Sequence, residues 1–173
     1  MKRLVAILMM SVLAVSVQAQ NDAISKYFNK YMDNEDFSHV TVSGKMFSMI
    51  NKIEIEDDED RALVESLGKI KGVKALFAEQ GVDGKSMYKE AVGLVSGKGY
   101  EELMSVRDED KDIKFYIKEK DNKIDEVFMV MGGGEEFGLV SIVGDGIDIN
   151  QLYKLSKDLG MKEFGHLEKM GGN

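Results

Sequence analysis

The sequence contains no cysteine, no proline and no tryptophan. Without cysteine there is no disulfide framework, no thiol nucleophile and no thiolate site for zinc or an iron–sulfur cluster. Average usage would place roughly 8 prolines in a chain of this length, so its turns must be made by other residues. Positive charge is also short, with 23 Lys and Arg against 31 Asp and Glu and a net charge of −8. That balance argues against a nucleic-acid surface, which needs a basic stripe to displace counterions. What the chain does have is 43% hydrophobic and 31% charged residues, the composition of a globular domain.

The opening MKRLVAILMMSVLAVSVQAQ carries Lys2 and Arg3, then the apolar run Leu4 to Val17, then small residues at positions 17 and 19. This is the pattern of a secretory signal peptide cleaved between Ala19 and Gln20. Its apolar run is short of the roughly 20 residues a membrane-spanning helix requires. Lipid attachment at the cleavage site needs a Cys and none is present. Removing the first 19 of 173 residues leaves 154, with 21 basic and 31 acidic side chains and a net charge of −10. The mature chain is thus expected to be exported in soluble form to the periplasm or beyond, with neither a membrane span nor a lipid anchor. Its length suffices for one core without staples. Residues 20–160 read as a single domain, and the Gly-rich residues 161–173 as a frayed tail.

Ile24, Tyr27, Phe28 and Tyr31 recur at helical spacing behind a cap at Asn21 or Asp22. Val40 and Val42 alternate with His39, Thr41 and Ser43 as a short strand, which Gly44 breaks before Met46, Phe47, Met49 and Ile50 resume helical spacing. Residues 57–71 predict a helix with Leu63, Val64, Leu67 and Ile70 on one face, ended by Gly72. Residues 72–79 read as a buried strand, and Asp83 caps a helix carrying Met87, Tyr88, Ala91, Leu94 and Val95 that ends among Gly97 and Gly99. From Tyr100 the period changes to two. EELMSVR, DIKFYIKE, KIDEVFMVM and EFGLVSIVG are four strands joined by DEDK, KDN and GGG. Connections this short make neighbouring strands antiparallel. Asp148 with Gln151 resembles a capping box before a last helix, with Leu152, Leu155 and Leu159 inward and Gly160 at its end. The order of elements predicts an α+β domain, with helices on one face of a mostly antiparallel sheet and a C-terminal four-strand meander before the final helix.

Several segments invite a chemical reading. GVDGKS, residues 81–86, lies between a strand and a helix as a phosphate loop would. That loop needs Gly five residues before the Gly of GKS, and Glu79 stands there; a polar turn with a helix cap accounts for it. Asp108, Asp110, Asp112 and Glu119 match the spacing of a calcium loop, but Ile113 occupies the position that needs Gly, and residues 113–118 alternate as a strand. They are weak metal candidates, and a solvated hairpin tip is the simpler reading.

The run Glu54, Glu56, Asp57, Asp58, Glu59 and Asp60 suits the first turn of a helix, where negative charge complements the dipole; weak cation binding or attraction to a basic partner is its functional alternative. His39 on the outward side of its strand and His166 in the tail offer no neighbouring nucleophile in sequence. Nine of the 12 methionines survive cleavage. Thioethers could hold copper, but Met46, Met49, Met129 and Met131 fall at helical and strand periods, where Met fills core. Gly132, Gly133 and Gly134 read as a loose hairpin turn.

The helix ISKYFNKY, the segment FSHVTVSGKMFSMI and the late block from YEELMSV to FGLVSIVGDGIDINQLYKLSK resemble the domain-of-unknown-function 4252 family. The match runs from about Ile24 to Leu159, and its closing element is the strand–G-x-I-D–helix from Gly144 to Leu155. The resemblance implies an exported α+β domain with no catalytic residues, no cofactor and no ligand set to carry over. Some relatives are lipoproteins with a Cys at the cleavage site; this chain lacks it. Such genes can lie near extracytoplasmic sigma-factor systems, which lends weight to a link with envelope stress.

The resulting expectation is a non-enzymatic binding or interaction module with an envelope protein as partner, its sheet offering an open face or an edge strand. The alternative is a hydrolase working through surface or cleft carboxylates, with or without a divalent cation, marked by acids converging in a pocket.

Overall fold

A computed structural model describes residues 18–50, 52, 57–108 and 110–152. In chain order the elements are α1 (Gln18–Tyr31), β1 (Ser38–Ser43), α2 (Gly44–Ile50), α3 (Asp58–Gly68), β2 (Ile70–Ala78), α4 (Gly84–Val95), β3 (Glu101–Asp108), β4 (Lys111–Lys120), β5 (Lys123–Gly133) and β6 (Glu136–Gly144). A helical turn begins again at residues 149–152. The strands form one six-stranded antiparallel sheet in the order β1-β2-β6-β5-β4-β3. Four consecutive strands therefore run as the expected meander, and β1 and β3 are the two edges. The protein is α+β, as the order of its sequence signals predicts.

Turn chemistry explains the meander's tightness. Only Asp121 and Asn122 separate β4 from β5, and both take positive φ, 52° and 61°. Two such residues match the right-handed twist of the flanking strands, and Asp and Asn tolerate the conformation best among residues with a side chain.

The chain forms two compact units. The first comprises the described residues up to Val40, Lys74–Tyr116 and Phe128–Val140; the second comprises Thr41–Val73, Ile117–Val127 and the described residues from Ser141. In the first unit Ile24, Tyr27 and Phe28 of α1 pack with Met87, Ala91 and Val95 of α4. They cover Leu76, Tyr116, Phe128, Val130, Phe137 and Leu139, alternate residues of β2, β4, β5 and β6. Alternation puts these strand residues on one face of the sheet. The residues between them are buried too: Phe115, Met129 and Val140 are 0%, 1% and 6% exposed. The expectation of a sheet with one open face is corrected here, because the central strands are apolar on both sides. In the second unit Leu63, Val64 and Leu67 of α3 are half-buried, while Ile70, Ile147 and Leu152 are buried.

Two boundaries differ from expectation. Helix α1 runs through Asn21 and Asp22 rather than being capped by them, because Ala19 and Gln20 are good helix formers that extend the turn. Helix α3 stops at Gly68, not Gly72, and Ile70 opens β2. Lys69 O accepts a hydrogen bond from Asp145 N at 2.9 Å, so pairing captures the chain just where its periodicity could still be read as helix. Residues 1–17 of the segment that reads as a signal peptide, Glu54 and Glu56, Leu155, Leu159, Gly160, residues 161–173 and with them His166 lie outside the described residues.

The helix pair of the first unit makes stability depend on pH. The Tyr27 hydroxyl donates to Met87 O at 3.4 Å. Burial, and after it the neighbouring Tyr31 and Glu90, pushes this phenol well above its ordinary value. In the unfolded chain tyrosine ionises near pH 10, at about its model-peptide value. The stabilising contribution is therefore complete below about pH 10 and is lost as pH rises beyond it. Thermal melts should show Tyr27→Phe costing about 1 kcal/mol at neutral pH, with the gap to the parent narrowing above pH 10. A gap independent of pH would contradict this assignment.

Candidate functional site

The first edge strand is an unusual surface. β1 reads SHVTVS, with two Val and a Thr that favour extended backbone. It carries no Lys, no acid, no Pro and no Gly, the devices by which edge strands are made unattractive to other chains. All its residues except Val42 are exposed, and Val40 is 50% exposed. The expectation that both valines point inward is corrected for Val40, which is exposed where Val42 is half-buried.

At Ser43 the chain passes directly into α2. Gly44 makes this possible: a Cβ there would come within 2.6 Å of Lys71 O and 3.1 Å of Lys71 Cα. The backbone of α2 therefore begins in contact with β2. Phe47, 9% exposed, anchors this seven-residue helix. Met46 and Met49 stand 54% and 60% exposed. Three residues apart, they share one side of the helix. The reading of these two methionines as core is wrong, since Phe47 supplies the anchor; Met129, 1% exposed, is core as expected.

The opposite edge is defended. On β3, Glu102 accepts from Lys114 Nζ at 2.6 Å, and Arg107 Nε donates to Asp112 at 2.6 Å. The hydrogen bond to Glu102 holds the Lys114 ammonium above its ordinary value, and that to Asp112 does the same for Arg107. Exposed pairs of this kind add little stability, but they put charge along an edge where it discourages pairing.

The segments that looked like chemistry resolve otherwise. In GVDGKS, Asp83 Oδ1 accepts from Ser86 N at 2.9 Å and Gly84 N donates to Gly134 O at 3.1 Å. Two N–H groups of the α4 N-terminus are thereby engaged, and the cap reading holds. Asp112 and Glu119 lie seven residues apart on the same extended strand, a separation of about 23 Å at about 3.3 Å per residue, so no single ion bridges them. Asp112 instead meets Arg107, Asp110 lies in the turn before β4, and the Asp108 side chain is outside the described residues. Among the described residues no three His, Cys, Asp or Glu stand together as a metal site. His39 is exposed on β1, and Asp57 is exposed just before α3.

Two further polar features were not anticipated. Glu126 and Ser141, 4% and 5% exposed, face each other on β5 and β6, and the Ser141 hydroxyl donates to Glu126 Oε1 at 2.8 Å. In the second unit a shallow open depression is lined by Leu63, Leu67, Ile70, Ile147 and Leu152, with Ser66, Asp148 and Gln151. Its single acid, Asp148, accepts from Asn150 N and Gln151 N at 2.9 and 3.3 Å, capping the turn that follows. Glu126 is not among the lining residues, so this depression does not gather carboxylates as hydrolysis would require.

The features that distinguish the described residues are an antiparallel sheet apolar on both faces and an uncharged edge strand, which define a class of α+β domain. Residues 31–155 match the family described as Domain of unknown function (DUF4252), and the chain belongs to that family. No match is found among curated proteins or among solved structures. No helix among the described residues is long and apolar enough to cross a membrane.

Proposed function

We propose that this protein is an exported, non-enzymatic interaction module of the cell envelope that captures a protein partner by adding a strand to β1. The observation that carries the reading is the exposure of an uncharged edge strand, with Val40, Met46 and Met49 presented to solvent beside it. Free N–H and C=O groups on an edge supply affinity to an extended segment, and neighbouring apolar side chains supply pockets. The basic-then-apolar opening of the sequence supports export, and the lack of cysteine supports a chain released without a lipid anchor. A function in envelope-stress signalling is consistent with a partner captured only under some conditions.

A photo-crosslinking residue in place of Thr41 on β1 tests this against one in place of Ser105 on β3. Position 41 should give a discrete adduct in cells, lost in Val40→Lys, while position 105 gives none. Monomer alone from both positions, at rest and under envelope stress, would overturn the proposal.

A further inference from the structure

We infer that the segment captured on β1 is acidic as well as extended, an inference that rests on reading β1 as the docking edge. In a chain of net charge −8, no acid occurs from Phe37 to Ile53 or from Lys69 to Ala78. Those stretches supply the edge strand, helix α2 and the whole of β2. Between them they carry five lysines, of which Lys45, Lys52, Lys69 and Lys71 are exposed and Lys74 is half-buried, donating to Ser25 Oγ at 3.3 Å. None of the four makes an ion pair with a described residue. Gly44 lies against the backbone of Lys71, which brings Lys45 and Lys71 to the same end of β1. The four exposed lysines near this edge are thus unpaired among the described residues, whereas Arg107 of the opposite edge strand and Lys114 of β4 beside it are paired within the fold.

An occupant of β1 therefore meets apolar contact from Met46 and Met49 and positive charge from Lys45 and Lys71. A strand alternating apolar and acidic residues satisfies both, since successive side chains of an added strand face opposite sides. A second copy of this chain fits this description less well, because β1 itself carries no acidic residue to meet the lysines. An anionic lipid surface would meet the charge and the methionines, but it leaves the backbone groups of the edge without partners.

Fluorescence anisotropy of labelled short peptides against the purified chain tests the inference. The probes are a peptide alternating Val and Glu, its Lys-for-Glu counterpart, and the Glu peptide N-methylated at alternate residues. The Glu peptide should bind about tenfold more tightly than the Lys peptide, as expected for a few exposed charge pairs. The preference should shrink with added salt, invert in Lys45→Glu combined with Lys71→Glu, and vanish for the methylated backbone. Equal binding of the Glu and Lys peptides would overturn the acidic partner while leaving strand addition standing. Failure of all peptides with binding to phosphatidylglycerol vesicles would overturn both in favour of a lipid surface. Self-association abolished by Val40→Lys would overturn the inference in favour of a second copy.

Discussion

Replacing Gly133 with alanine should cost about 3 kcal/mol, at the upper end of the range for overpacking. A Cβ at Gly133 would collide with Asp110 O and lie 2.8 Å from its carbonyl carbon. These are backbone atoms of the turn between β3 and β4, so no rotamer change can clear the space. The hairpin and the turn would have to separate, disturbing the hydrogen bond from Gly84 N to Gly134 O. Urea unfolding should show a lower midpoint with an unchanged slope, and the melting temperature should fall by roughly 10 °C for a domain of this size. Two neighbours calibrate the result. Gly134 has open space but a φ of 54°, so alanine there should cost only about 1 kcal/mol. Gly93, inside α4 with nothing within 4 Å, should gain up to about 1 kcal/mol on becoming alanine. If Gly133→Ala is no worse than Gly134→Ala, the close contact is not what demands glycine.

The triple glycine shows what sequence could and could not convey. A turn here is legible because glycine between two alternating runs is a strong local signal, but the reading of all three as a loose turn is corrected: Gly132 and Gly133 are buried in β5, and Gly134 with Glu135 makes the turn. The packing of the triple glycine is not legible, since Asp110, Gly84 and Tyr88 reach it from elsewhere in the chain. The meander reads clearly for the same reason that the turn does: each of its strands alternates and each connection is short. The edge strand reads poorly. Val40 and Val42 look identical in the sequence, yet Val40 is exposed and Val42 half-buried, a difference that depends on what packs over each and not on the strand's own pattern. Met46 and Met49 lie at core-like spacing around Phe47, yet a seven-residue helix needs one anchor, and Phe47 supplies it. A usable signal was present nonetheless: seventeen consecutive residues without an acid, Phe37 to Ile53, in an acidic chain. Such a gap marks a surface whose charge differs from the rest.

Apolar residues of this protein should divide sharply in what they contribute. Phe128 is fully buried, with the rings of Tyr100 and Tyr116 at 6.3 and 6.4 Å between centroids. Phe128→Ala removes a large side chain from the middle of β5 and leaves a cavity among neighbours held by the sheet, so it should cost about 4 kcal/mol. Met46→Ala and Met49→Ala remove similar apolar bulk from positions more than half exposed, and each should change stability by less than about 0.5 kcal/mol. Urea titration of the three variants measures the contrast. A loss above about 1 kcal/mol in either methionine variant would mean that these side chains support the fold, and it would take away their reason to be a docking surface. If both are neutral to folding, their exposure beside an uncharged edge strand brings no folding benefit and an association hazard, and contact with another chain is what gives them a use.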